Sequence, residues 1–221
     1  MYFMKYLTKE NLLGILIAIL VVTLICFGIY FLMKLGNKNK ATNTSNTRSH
    51  EIRCMIETSL MVAFAVILDL IFKNIPFLDM PMGGSASLTM LPIFVISFRR
   101  GPKWGIICGA VYSVINLLFD GKLYHWTSIF FDYLIAFGVL GIAGYFKVLL
   151  GENKVKNSLV FIIGTFVATL GRFVCATLSG MIAFETPFVA SMVYNAPYIF
   201  VSMIMCIIVL ELIQDIILYE N

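Results

Sequence analysis

Charged side chains are scarce in this sequence. They make up 13% of its 221 residues, against roughly 25% in a typical soluble domain, whereas hydrophobic residues make up 60%. This balance excludes a single soluble core. Because each spanning helix needs about 20 apolar residues, the chain also has no length left for a separate soluble catalytic domain. The composition predicts an all-α membrane protein with about seven helices in the lipid bilayer.

Catalytic and metal-binding motifs are also lacking. The sequence contains no nucleophile elbow, phosphate loop or His-Glu-x-x-His motif, and its two histidines, His50 and His125, lie between the apolar runs. The five cysteines are odd in number and include no Cys-x-x-Cys pair, so neither a disulfide framework nor a metal site is indicated. We expect no catalytic residue, no metal and no cofactor, and therefore not an enzyme.

The chain divides into three parts by composition. Residues 12–33 are an uninterrupted apolar run without a small-residue cleavage site after it, which predicts an additional N-terminal transmembrane helix within residues 1–34. Residues 35–53 are rich in Asn, Thr and Ser and predict a flexible cytoplasmic tether. The rest, 54–221, is expected to be a six-helix membrane domain that binds the substrate.

Six apolar segments lie in this last part, and we predict a span in each: 54–73, 87–98, 104–119, 127–147, 158–184 and 188–214. The second is short and contains Pro92, so a helix there would reach only about 18 Å. We expect it to be tilted, partly irregular or extended by the preceding loop. That loop, rich in Pro and Gly, is either a lid over the bundle or a plain connector.

Lysine and arginine are distributed unevenly between the predicted connections. If the helices alternate in direction, eleven of these residues fall on one side of the membrane and only Lys73 and Lys122 on the other. The positive-inside rule makes the eleven-residue side cytoplasmic, together with the C-terminus. The net charge of +4 then reflects orientation rather than a nucleic-acid partner. Lys5 and Lys9, outside the first helix, do not fit this orientation.

Three ionisable residues stand out within the predicted spans. Each is by default either paired or part of a ligand or ion path, because insertion of a charge costs at least about 2.5 kcal/mol. Asp69 lies near the outer end of its helix, where its carboxylate is expected to reach the headgroup region. Asp132 lies deeper, and Arg172 lies near the middle of the fifth span.

Asp132 shares its depth with several aromatic and polar residues of the last three spans. A carboxylate surrounded by ring faces attracts a small organic cation, and an amide supplies directional hydrogen bonds to a heterocycle. The sequence therefore predicts an outward-facing pocket formed by Asp132, Tyr133, Gly180, Phe184, Tyr194 and Asn195. In the alternative interpretation, Asp132 and Arg172 neutralise each other and the rings only pack.

Several segments in order resemble the thiamine-specific S component of energy-coupling factor (ECF) transporters. They are SLTMLPIFVISFRRGPKWGIICG, GKLYHW…FFDYLIAFGVLGIAG and RFVCATLSG…VYNAPY, within residues 54–214. The resemblance implies a six-helix domain in the plasma membrane of a prokaryote, both ends cytoplasmic, with a substrate site near the outer face. It also implies a vitamin-capturing subunit without enzyme activity, which associates with a transmembrane scaffold protein and two ATPases.

The family's binding residues match here in part. Its acidic-Tyr and Tyr-Asn pairs fall on Asp132, Tyr133, Tyr194 and Asn195. A Gly-Lys-x-Tyr stretch corresponds to residues 121–124 and ends at Tyr124, although the chain is two residues shorter between this stretch and Asp132.

Three positions depart from the family pattern, and a fourth residue is a candidate to compensate for them. The family's His, Gly and Trp on one face of the fifth helix are Ala176, Gly180 and Phe184 here, and a further tyrosine is Ala190. Trp126, beside His125, is a candidate to replace the lost contacts. The implied ligand is therefore thiamine or a closely related precursor or analogue.

Ser59 and Ala63, four residues apart on the first helix of the bundle, would permit close helix approach. The resemblance implies that this face docks the scaffold protein, and ordinary packing within the bundle is the alternative. For the whole chain, two further functions remain open: a stand-alone ion-coupled secondary transporter of a small organic cation, and a membrane assembly subunit without a ligand.

Overall fold

The computed structural model describes residues 47–74, 84–120 and 129–218. The predicted N-terminal helix 12–33, most of the segment that would be a lid or connector, and the loop containing Tyr124 and Trp126 lie outside these residues. The described part is helical apart from its connections, which confirms the all-α prediction.

Seven helices follow one another in the described part of the chain: α1 Thr47–Phe72, α2 Leu91–Arg100, α3 Pro102–Asp120, α4 Ile129–Leu149, α5 Lys154–Ala183, α6 Phe188–Leu212 and α7 Gln214–Leu218. Helix α4 is continuous but changes its winding. It is π-helical over Ile129–Leu134, α-helical over Ile135–Leu140 and 3₁₀-helical over Gly141–Leu149. Five of the seven, α1, α3, α4, α5 and α6, are long and apolar enough to cross a membrane.

Helix α2 is too short to cross a membrane and is buried in the bundle. All of its residues from Leu91 to Phe98 are buried, and Pro92 lies in its first turn, where a missing N–H is tolerated. The non-helical residues before it lie along α6, because the N–H of Ser87 donates to Ser202 Oγ at 2.9 Å. Of the arrangements expected for this span, the structure has the partly irregular one, because residues 87–90 are not helical and the helix begins at Leu91.

Helix α1 begins at Thr47, seven residues before the predicted span. Residues 47–53 are therefore helical, and the prediction of a flexible tether is wrong for them. The early turns of α1 carry acidic residues that pair with the end of α2 and the start of α3. Glu57 accepts two hydrogen bonds from Arg100, at 2.6 and 2.5 Å, and Glu51 lies 3.8 Å from Lys103.

Basic residues collect at one end of the bundle, which we call the basic end. Lys147 on α4 donates to the carbonyl of Arg99 on α2, and Lys154 on α5 pairs with Asp215 on α7 at 2.7 Å. These contacts bring together the start of α1, the end of α2, the end of α4, the start of α5 and α7. At the opposite end, the one basic residue in the described part is Lys73.

Glycines bring α3 and α4 into backbone contact. A Cβ at Gly109 would lie 2.2 Å from the carbonyl oxygen of Phe137, and one at Gly141 would lie 2.2 Å from the nitrogen of Ile106. Helix association in lipid depends on close packing rather than on the hydrophobic effect, so small residues at a crossing stabilise it. A Cβ at Gly138, also on α4, would have no neighbouring atom within 4 Å.

We expect Gly109→Ala to destabilise the protein by about 2 kcal/mol, because its methyl group would force the two backbones apart. Gly138→Ala is the matched control and should be neutral or slightly stabilising, since alanine is the better helix former. Thermal unfolding of the detergent-purified protein measures both. Equal melting temperatures for the two variants would contradict the close α3–α4 contact.

Candidate functional site

Asp132 lies in the π-helical first segment of α4, away from the basic end. Its carboxylate accepts a hydrogen bond from Ser179 Oγ on α5, at 2.6 Å from Oδ2, and the residue is half-buried. A π-turn inserts an extra residue into the helical repeat and is frequent at functional sites. Tyr133, the next residue, is also half-buried in this segment. The structure thus connects the predicted carboxylate to α5.

Asn195 is buried on α6, with 5% of its surface exposed. Its side-chain nitrogen donates to the carbonyl of Ser191 at 2.9 Å and lies 3.4 Å from the carbonyl of Ala176 on α5. Its side-chain oxygen accepts from the hydroxyl of Tyr198 at 2.6 Å. An amide oxygen has two lone pairs, so it can accept one further hydrogen bond from a ligand.

The Tyr194 hydroxyl accepts a hydrogen bond from the N–H of Gly84, at 3.1 Å. Its ring meets the Tyr198 ring edge-on, with centroids 6.2 Å apart. A Cβ at Gly84 would lie 2.8 Å from the Tyr198 ring, so glycine is required for this approach. Tyr194 therefore holds the chain before α2 against α6, beside Asn195.

Gly180 is a packing residue between α5 and α6. A Cβ there would lie 2.1 Å from Ser191 Oγ, and its carbonyl accepts a 2.7 Å hydrogen bond from the hydroxyl of Thr186. Phe184 follows the end of α5 and is 39% exposed. Of the predicted pocket residues on α5, Gly180 thus contacts α6 and Phe184 lies at the rim of the bundle.

The positions that depart from the family pattern differ in burial. Ala176 is 6% exposed and faces Asn195 through its carbonyl, so the missing histidine would have lain inside the bundle. Ala190 is exposed, whereas the next residue, Ser191, is buried and donates to the carbonyl of Thr177 at 2.9 Å. Ser191 therefore occupies the inward-facing position in this turn of α6.

Arg172 lies two turns of α5 below Gly180. Its guanidinium carbon is 4.3 Å from the centroid of the Phe137 ring on α4. Such a cation–π contact stabilises a desolvated guanidinium by about 2 kcal/mol. Arg172 thus packs against a ring of α4, while Asp132 accepts a hydrogen bond from Ser179 on α5.

Asp69 belongs to a separate polar cluster at the same end of the bundle. It pairs with Lys73 at 2.6 Å, and Lys73 also donates to Asn116 Oδ1 on α3 at 3.0 Å. Asp69 is only 8% exposed. A lysine one turn further along the helix therefore covers Asp69 and pairs with its charge.

Ser59 and Ala63 are exposed on the outer face of α1. The Ser59 hydroxyl is satisfied within its own helix, donating to the carbonyl of Met55 at 2.9 Å. The alternative that these two residues pack within the bundle is therefore wrong, whereas Ala65 on the opposite face is fully buried.

Sequence reasoning missed three residues of the site: Ser179, Ser191 and Tyr198. Ser191 and Tyr198 lie four residues before and three after Asn195, which is the spacing of neighbours on one helical face. That spacing could have identified them. Ser179 depends on the rotation of α5 against α4, which the sequence does not specify. Within the described residues, no group of three His, Cys, Asp or Glu side chains is placed to hold a metal ion.

Comparisons with known proteins identify the family to which this chain is similar. The family model described as Thiamine transporter protein (Thia_YuaJ) matches residues 55–219. The thiamine transporter ThiT of Bacillus subtilis (strain 168) is 36% identical over 180 residues, which cover 75% of this chain and 92% of that protein. A solved structure of ThiT from Listeria monocytogenes matches with a TM-score of 0.68, at 18% identity, over 76% of this chain and 96% of that one.

The structural match shows that the fold is shared, and the family model and the relative from Bacillus subtilis show the family. The resemblance found in the sequence is confirmed, and the family is one of transporters rather than enzymes. This chain belongs to the thiamine transporter protein family.

Proposed function

We propose that this chain is the substrate-capturing S component of an ECF-type importer for thiamine or a closely related precursor or analogue. The observation that carries the proposal is the position of Asp132, a half-buried carboxylate held by Ser179 next to the Asn195 cluster. ATP hydrolysis belongs to two separate ATPase subunits, which would act with a transmembrane scaffold protein.

The charges fit this ligand class. The thiazolium ring of thiamine carries a permanent positive charge, and a cation that enters a low-dielectric bundle needs an opposite charge close by. Asp132 supplies that charge, and Ser179 fixes its orientation. Tyr133, Tyr194 and Phe184 supply ring faces, while Asn195 provides an acceptor for an amino group of the heterocycle. Tyr124 and Trp126 complete the proposed site from outside the described residues.

The small side chain of Ala176 bears on which ligand binds. A buried position that carries histidine in the family pattern lacks here any polar side-chain atom. Each lost hydrogen bond weakens binding by about 0.5–1.5 kcal/mol, so thiamine binding is expected to be weaker than in relatives that retain the histidine. A precursor or analogue that lacks the group contacted by this histidine would lose nothing.

The distribution of basic residues supports an orientation of the proposed site in the membrane. By the positive-inside rule this end, with the C-terminus, faces the cytoplasm of a prokaryotic cell, so Asp132 and Asn195 lie towards the outer surface. A site there takes its ligand from outside. Gly180 contributes by holding α5 and α6 together at this depth.

Ion-coupled secondary transport is the alternative. It would ordinarily use a chain of membrane acids. Asp69 and Asp132, which lie away from the basic end, belong to separate clusters on α1 and α4, and this separation favours the S component.

Replacement of the proposed counter-charge tests the site directly. Asp132→Asn should weaken thiamine binding at least about tenfold, or 1.4 kcal/mol, because it removes the charge and keeps the shape. Asp215→Asn is the matched control, since it removes a carboxylate from an exposed ion pair at the basic end. Isothermal titration of the purified proteins measures both affinities. If Asp132→Asn and Asn195→Ala both bind thiamine as tightly as the unaltered protein, the binding site lies elsewhere.

Tyr198→Phe isolates the contact that sequence reasoning missed. Loss of the hydroxyl that donates to Asn195 should weaken binding by about 0.5–1.5 kcal/mol, roughly two- to tenfold, while the ring contact with Tyr194 remains. Tyr145→Phe, a half-buried tyrosine near the basic end, should leave the affinity unchanged. Similar affinities for the two variants would show that Tyr198 does not position Asn195.

The scaffold-docking role of Ser59 and Ala63 needs a separate measurement. Ala63→Trp should prevent co-purification with the scaffold and ATPase subunits and abolish uptake, because a large side chain blocks close helix approach. Thiamine binding by the isolated chain should persist. Val114→Trp places the same ring on the exposed face of α3 and should assemble normally. Normal assembly of Ala63→Trp would contradict docking on this face.

A further inference from the structure

An open groove lies at the basic end, between the start of α1 and the end of α2. Its volume is about 500 Å³, and it is lined by Ser49, Ile52, Arg53, Ile56, Glu57 and Arg99. The groove is far from Asp132 and Asn195, which lie towards the other end of the bundle. Nothing in the proposed capture of a vitamin uses it.

The groove carries a surplus of positive charge. Glu57 is its one acidic residue, and it is held by Arg100 at 2.5 Å and by Arg99 at 3.5 Å. Lys147 brings a further positive charge to the end of α2 through the carbonyl of Arg99. Arg53 is exposed and forms no ion pair within the described part of the chain. The rim therefore attracts an anion.

The wall of the groove is apolar and continues towards the middle of the membrane. Ile52 and Ile56 are 51% and 57% exposed. Ser59 and Ala63 follow them at spacings of three and four residues, so all four lie on one stripe of α1. An occupant that lies along this stripe has hydrocarbon beside Ile56 and an anionic group beside Arg53.

We propose that this groove binds an anionic phospholipid from the leaflet at the basic end. Its phosphate contacts Arg53 and Arg99, and its acyl chain lies along Ile52 and Ile56. Basic pockets between transmembrane helices bind anionic headgroups in this way. An acidic peptide would satisfy the arginines, but it would leave the apolar wall facing the hydrocarbon region without a matching surface. The phospholipid matches both parts in the order in which they occur.

Competition between two lipids tests the proposal. The full-length protein in detergent is incubated with equal amounts of phosphatidylglycerol and phosphatidylcholine that carry the same acyl chains, and bound lipid is counted by native mass spectrometry. The unaltered protein should retain phosphatidylglycerol in preference. Arg53→Gln should lower this preference about fivefold, the effect of about 1 kcal/mol for one basic residue at the membrane surface.

Lys156→Gln is the matched control, because Lys156 is exposed at the same end but does not line the groove. It should keep the preference. Equal losses in the two variants would show a diffuse surface attraction and overturn the proposal, as would equal retention of both lipids by the unaltered protein. Displacement of the lipid by millimolar inorganic phosphate would indicate a site for the free anion instead. Thiamine binding measured on the same variants keeps this result separate from the test of the binding site.

Discussion

The hydrocarbon core of a membrane offers no hydrogen-bond partner, and the polar side chains near the proposed site are placed accordingly. Asp132 is held by Ser179, Asp69 by Lys73, and both polar atoms of the Asn195 side chain by neighbouring groups on α5 and α6. The same constraint explains the non-helical residues before α2. They lie inside the bundle, where Tyr194 and Ser202 accept hydrogen bonds from the backbone N–H groups of Gly84 and Ser87.

The same hydrogen bonds that satisfy the polar groups also join the helices around the proposed site. Asp132 ties α4 to α5, Ser191 ties α6 to α5, and Tyr194 ties the chain before α2 to α6. A ligand that displaces one of these partners must replace its hydrogen bond, because a buried polar group left unsatisfied costs about 1–3 kcal/mol. Binding at this site is therefore connected with the packing of three helices and with the position of the chain that enters α2.

Much of this arrangement could be predicted from hydropathy and charge. The long spans were placed within a few residues of α3, α4 and α6, because lipid imposes a minimum apolar length on each. The start of α1 was missed because its polar residues are stabilised by contacts with α2, which composition does not reveal. The π-helical turn at Asp132 and the partnership with Ser179 were missed because they depend on how one helix is rotated against another. The sequence also did not reveal that Ala190 is exposed on α6 whereas the next residue, Ser191, is buried.

Helix α2 bears on how many times the described part of the chain crosses the membrane. Counting only apolar segments long enough to span would give five crossings in the described part, an odd number that separates the two ends of the bundle. In the six-span arrangement that we propose, the ten residues of α2 and the irregular chain before it are the sixth crossing, and the number becomes even. Because α2 is enclosed by protein, it need not be long enough to match the bilayer on its own. In that arrangement, whether the number of crossings in the described part is odd or even depends on a segment whose residues from Leu91 to Phe98 are buried in protein.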